Sequence, residues 1–161
     1  MSTGRNGTLA IAITLLLALM LEIMPLPDWL APFQPQWLLL TLIYWCMATP
    51  NRVGIGIGWS CGILLDILKG ALLGQHAIGL TIVAYFSLKL HQRTRVLPLP
   101  QQALTVLLLL LVERLISIWV IGAMGYPAPS LWYWAAPLVG MMLWPWIYVI
   151  LRDVRRRFRV S

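Results

Sequence analysis

Four charged residues stand inside long apolar runs: Asp66, Lys69, Glu113 and Arg114. Each costs roughly 2.5–3.5 kcal/mol at the centre of a membrane helix, so each must face a partner, water or another chain. Asp66 lies 14 residues beyond Arg52, about 21 Å along a helix; Arg114 lies 13 beyond Gln101, about 20 Å. The two share a depth if both helices start at the same boundary, and an Asp66–Arg114 ion pair is expected. Adjacent helical residues point apart, which leaves Glu113 to Lys69 or to another subunit. Such charges can serve as a structural pair, as recognition of a partner helix, or in transport of a proton or solute.

Small residues form a second pattern. Gly54, Gly58 and Gly62 repeat every four residues, and Asp66, Gly70 and Gly74 fall on the same spacing. Glycine at this spacing lets two helix backbones approach closely, within the chain or between subunits. Two catalytic motifs fail. Gly54-Ile-Gly56-Ile-Gly58 would need glycine at Trp59, and a preceding strand, to be a dinucleotide loop. Gly58-Trp-Ser60-Cys-Gly62 has the letters of a serine nucleophile elbow but lies within an apolar helix rather than at a strand-to-helix turn. His76 is 16 residues on, and His91 stands at the far end of the next run. Both histidines read as interfacial. Cys46 and Cys61 lie in apolar runs without metal or disulfide spacing and read as packing residues. No catalytic, cofactor or metal site is expected.

The elements that carry these residues are helices of membrane type. Spans are expected at about 8–24, 36–49, 53–72, 76–90, 103–124 and 131–151, forming one transmembrane domain with a basic tail at 152–161. No small-residue cleavage site follows Glu22, so the first run reads as an uncleaved span. The second is short: Trp37–Thr49 covers about 20 Å against a hydrocarbon core of roughly 30 Å. It must start earlier, lie in thinned bilayer, or be sheltered by protein. A re-entrant second segment would make the count odd.

Composition agrees. Of 161 residues, 60% are hydrophobic and 11% charged, with a mean hydropathy of +0.83. A soluble domain carries about 25% charged residues. The net charge of +7 would suggest nucleic acid in a soluble protein. Here the basic residues flank apolar runs, and orientation and anionic lipid explain them better. Arg5, Arg52, Lys89, Arg93, Arg95, Arg152, Arg155, Arg156, Arg157 and Arg159 all fall on one side. The positive-inside bias places both termini in the cytoplasm. Trp29, Phe33, Trp37, Tyr126, Trp132, Tyr133 and Trp134 gather at the opposite boundary. The tail arginines read as a lipid-facing anchor or a cytoplasmic docking site.

Several segments resemble the MreD rod shape-determining family in its proteobacterial form. They are Met24-Pro-Leu-Pro27-Asp28, Pro35-Gln-Trp37-Leu, Tyr44-Trp45 before Pro50-Asn-Arg52-Val53-Gly54, Gly62-Ile-Leu-Leu-Asp66-Ile-Leu-Lys-Gly70-Ala-Leu-Leu-Gly74, and Leu143-Trp-Pro145-Trp146. Ala71 stands where that family usually has serine, and Gln34-Pro-Gln36-Trp37 departs from its Arg-Pro-Asn/Asp-Trp. The resemblance implies a non-catalytic, multi-pass protein of the bacterial inner membrane. It would belong to the cell-elongation complex that supports lateral peptidoglycan synthesis. Its partner would be an MreC-type protein and, through it, an MreB-like filament, RodA and a class B penicillin-binding protein. The family is also similar in fold to the substrate-binding subunits of energy-coupling-factor transporters. That kinship implies an alternative, a solute-binding membrane subunit using Asp66, Lys69, Gln75 and His76.

Overall fold

The computed structural model describes residues 2–160. Six α-helices follow one another: α1 (Ser2–Ile23), α2 (Trp37–Ala48), α3 (Ile55–Lys69), α4 (Gln75–Arg95), α5 (Leu99–Ala123) and α6 (Ala135–Arg157). Short 3₁₀ turns at Ala31–Phe33 and Leu131–Trp134 precede α2 and α6. Among the described residues, three segments are long and apolar enough to cross a membrane: Gly4–Ile23, Leu99–Ala123 and Leu131–Arg157. This all-helical architecture fits an integral membrane protein.

The short α2 is the centre of the bundle. Every residue from Leu38 to Met47 is buried, and α1, α4, α5 and α6 all pack against it. Its 12 residues span about 18 Å. Neighbouring helices enclose it, so a helix that is too short for lipid contact leaves no backbone end in hydrocarbon. Trp45, fully buried, donates from Nε1 to Thr14 Oγ1 at 2.9 Å and fixes α2 to α1.

The helix ends differ from the expected boundaries for local reasons. α3 stops at Lys69 rather than continuing to Leu72, because Gly70 turns left-handed (φ +65°) and Ala71 N–H donates back to the Asp66 carbonyl. This is the Schellman termination that glycine favours. Gly74 (φ +104°) makes the next corner and α4 begins. α5 starts at Leu99, four residues earlier than expected, since Pro100 suits the first turn of a helix. α6 carries Pro145 internally and runs through Arg157. The segment expected as a tail is therefore mostly helix.

The start of α1, the turn after α2 and the end of α6 meet at one end of the bundle. Arg52 Nη1 donates to Gly4 O at 3.1 Å. A methyl group on Gly7 would stand 3.0 Å from the same nitrogen and 3.5 Å from Val160 Cα. Val160 is buried there, because the chain reverses at Arg159 (φ +47°). At the other end, Phe33 and Trp132 meet edge to face at 5.8 Å and join the two long loops.

Candidate functional site

Beneath those loops lies a buried polar layer built from α1 to α5. Its logic is helix capping. The first turn of a helix has backbone N–H groups without partners and attracts negative charge. Glu22, at the end of α1, is buried, and its Oε2 accepts from Leu38 N–H of α2 at 2.9 Å. Lys69 Nζ, about one-third exposed, stands 3.5 Å from Glu22 Oε1.

Asp66 does the same for α4. It is fully buried, and its two carboxylate oxygens accept from the N–H groups of Gly74 (2.9 Å), His76 (2.9 Å) and Ala77 (3.4 Å). His76 Nδ1 lies 2.7 Å from Oδ1 and supplies a further donor. Gly70 and Gly74 let the chain wrap around this carboxylate.

Glu113 completes the layer. Its Oε2 accepts from Gln36 Nε2, and Oε1 accepts from Ser117 Oγ at 2.9 Å. Gly79 of α4 makes room for it, since a methyl there would stand 3.0 Å from Glu113 Cγ.

The expected charge pairs are thereby corrected. Asp66 is not paired with Arg114, and Glu113 is not paired with Lys69. Equal depth does not make two side chains face each other, and backbone donors at a helix start compete well for a carboxylate. Arg114 instead stacks on the Tyr133 ring, with Cζ 4.2 Å from the centroid. Its Nε is buried without a hydrogen-bond partner among the described residues.

The glycine series divides. Gly58 and Gly62 are buried against α4: a methyl would stand 3.0 Å from Ala84 Cβ at the first and 2.3 Å from Ala77 Cα at the second. Gly54 caps α3 with Leu88 nearby. Gly70 and Gly74 are corner residues with open space around them, not members of a packing ridge. Spacing alone could not separate these roles, because the helix ends inside the series.

Of the solute-binding candidates, Asp66 and His76 are brought together, but each is turned to the other and to backbone. Lys69 reaches Glu22. Ser60 is exposed and donates to Gly56 O, as a helical hydroxyl ordinarily does. His91 Nδ1 meets its own helix at Leu88 O. Among the described residues, no group of three or more His, Cys, Asp or Glu side chains could hold a metal ion.

Glu22, Gln36 and Ser117 were not expected at this site. Glu22 had a visible signal, a lone acid inside the otherwise apolar 17-residue run 8–24. Gln36 and Ser117 had none, being ordinary residues at a helix boundary and in a span.

Apolar grooves of about 190–310 Å³ run along α1, and two other surfaces stand out. One is an apolar groove of about 580 Å³ between α4 and α5, lined by Ile78, Ile82, Val112, Leu115, Ile116, Trp119 and Val120. Trp119 is 79% exposed on it. The other lies at the opposite end from the carboxylate layer, where Arg152 and Arg155 of α6 approach Arg95 of α4. Arg156, Arg157 and Arg159 are exposed beyond it.

No solved structure matches the chain. The family described as rod shape-determining protein MreD matches residues 3–154. The chain is also 33% identical to the rod shape-determining protein MreD of Haemophilus influenzae over 147 residues, 89% of each protein. A capped, all-helical bundle with these matches along nearly its whole length belongs to the MreD family of rod shape-determining membrane proteins.

Proposed function

We propose that this protein is a non-catalytic scaffold of the rod-shape complex. It sits in the bacterial inner membrane with six crossings and both termini in the cytoplasm, and it binds the membrane span of an MreC-type partner in the α4–α5 groove. Through that partner it supports lateral peptidoglycan synthesis alongside an MreB-like filament, RodA and a class B penicillin-binding protein. The observation that carries this reading is how polar and apolar groups divide. Glu22, Asp66 and Glu113 are each occupied by contacts that hold helix starts or neighbouring helices in place. Among the apolar grooves left open, that between α4 and α5 is about 580 Å³ against about 190–310 Å³ for those along α1, and Trp119 stands exposed on it.

In lipid, apolar surface alone does not drive association, because tails are as apolar as side chains. The groove is shallow, so the fit rests on Trp119 and the branched side chains of Ile78, Ile82 and Ile116, against which a partner helix packs more closely than mobile lipid tails do. An even number of crossings fits the meeting of α1's start and α6's end at one end of the bundle. The test is photo-crosslinking in cells from Ile82 and Ile116, with Leu17 on α1 as the comparison. The reading expects an MreC-type protein captured at the first two positions. Capture from Leu17 alone would move the interface to another face and refute the groove.

A further inference from the structure

The Arg-rich end of the bundle holds a cavity of about 230 Å³ between α2, α5 and α6 and the end of α4. Arg95, Arg152 and Arg155 line it, and among the described residues no carboxylate does; Arg155 also donates from Nε to Val160 O at 3.5 Å. Like charges held together in one cavity repel unless an anion joins them. Asp153 is the nearest acid in sequence, but it is exposed and does not line the cavity.

One wall of the cavity is aromatic. Tyr148 meets Tyr44 edge to face at 5.7 Å and Trp144 at 6.2 Å, and Arg152 lies over Tyr148 at 6.0 Å. Two polar side chains on this wall are more than nine-tenths buried and hold atoms with no hydrogen-bond partner among the described residues. They are Trp144 Nε1, a donor, and Gln102 Oε1, an acceptor. Gln102 is fixed in this pose because its Nε2 donates to Thr94 O (3.0 Å) and Leu97 O (3.2 Å). A buried polar atom left unpaired costs about 1–3 kcal/mol, so a ligand that a small side-chain shift lets pair with either atom gains that much.

We propose that this cavity binds a phosphate ester that carries a neighbouring hydroxyl. The guanidinium groups and the Trp144 N–H donate to the phosphoryl oxygens, and Gln102 Oε1 accepts from the hydroxyl. Arginine suits this role because its planar fork matches phosphate oxygens. The volume admits a headgroup-sized group and excludes a folded peptide. The source is either the headgroup of an anionic lipid such as phosphatidylglycerol, entering from the adjoining leaflet, or a soluble glycerol phosphate. This site is distinct from the general lipid attraction of the tail, since Arg95 and Gln102 come from other helices and Arg156 and Arg157 do not line it.

The experiment uses the full-length protein in maltoside detergent. Its thermal unfolding midpoint is followed against dihexanoyl phosphatidylglycerol, dihexanoyl phosphatidylcholine and glycerol 3-phosphate. A ligand bound by the folded state raises the midpoint with a saturable dependence on concentration. The proposal expects such a rise with phosphatidylglycerol. The double change Arg152→Gln with Arg155→Gln should weaken it by about tenfold or more, the loss of at least one charge-assisted hydrogen bond. Arg156→Gln with Arg157→Gln, equal in charge, should leave it unchanged. Trp144→Phe, which removes the N–H and keeps most of the packing, should weaken it several-fold. Should the double variant fail to fold, the exposed Arg95→Gln carries the same comparison. A response to phosphatidylglycerol alone assigns a lipid headgroup, and a response to glycerol 3-phosphate as well assigns a soluble ester. Equal losses in both arginine pairs, an equal response to phosphatidylcholine, or no saturable rise would overturn the site.

Discussion

Gly62→Ala is the sharpest perturbation of this bundle. The added methyl would stand 2.3 Å from Ala77 Cα, 2.7 Å from Ala77 N and 3.0 Å from His76 C. Ordinary contact begins near 3.4 Å, so α3 and α4 must separate by about 1.1 Å. All three atoms are backbone, and no side chain can swing aside. The same backbone is the first turn of α4, which Asp66 holds by bonds of 2.9 Å. Overpacking costs about 1–3 kcal/mol, and a stretched bond to a charged group loses up to about 1.5–3 kcal/mol. Alanine's better helix propensity returns about 1 kcal/mol. The net expectation is about 2–4 kcal/mol of destabilisation, or roughly 5–15 °C in unfolding midpoint. Gly56→Ala is the control on the same helix. Nothing lies within 4 Å of its methyl, so it should match wild type or gain up to about 1 kcal/mol. The assay is thermal unfolding of both variants in one detergent, with rod-shape complementation alongside. Gly62→Ala melting with wild type, or both variants falling equally, would refute the α3–α4 packing.

Other perturbations follow the same reasoning. Asp66→Ala should cost about 3–5 kcal/mol because it strands the donors of α4's first turn and the His76 ring. Exchanging Asp66 and Arg114 should fail to restore stability, and recovery in the exchanged protein would revive the ion pair. Glu22→Ala should destabilise by about 1–2 kcal/mol through loss of the α2 cap, whereas Lys69→Met, removing a partly exposed partner, should change the midpoint by less than about 1 kcal/mol. Gly70→Ala should cost about 1–2 kcal/mol from left-handed backbone alone, read as a lower midpoint with no change in helix content by circular dichroism.

Helices were legible where hydrophobic runs were long. The runs 8–24 and 103–124 admit little besides a membrane helix, and α1 and α5 contain nearly all of both while starting six and four residues earlier. Boundaries were less legible. Leu72 reads as apolar span, yet the left-handed turn at Gly70 ends α3 three residues earlier. The polar layer was legible only as a set of charges. Charge-to-charge matching suggested Asp66 with Arg114, since side chains are what a sequence displays. The actual acceptors' partners are the N–H groups of Gly74, His76 and Ala77, which every residue but proline carries and which no letter marks. The arginine cavity shows the same limit. Arg95 and Arg155 are 60 positions apart, and they meet through the path of α5 and α6, not through any local pattern.

On the proposed function, a partner helix seats in the α4–α5 groove against Trp119. Energy transfer between the labelled protein and a labelled MreC-type transmembrane peptide in nanodiscs measures this directly. Association is expected, and Trp119→Ala should weaken it by at least about 2 kcal/mol, the cost of removing an aromatic anchor, while the unfolding midpoint of the free protein stays at the wild-type value. Association that is unchanged by Trp119→Ala and by bulky Ile82→Trp and Ile116→Trp substitutions would contradict it.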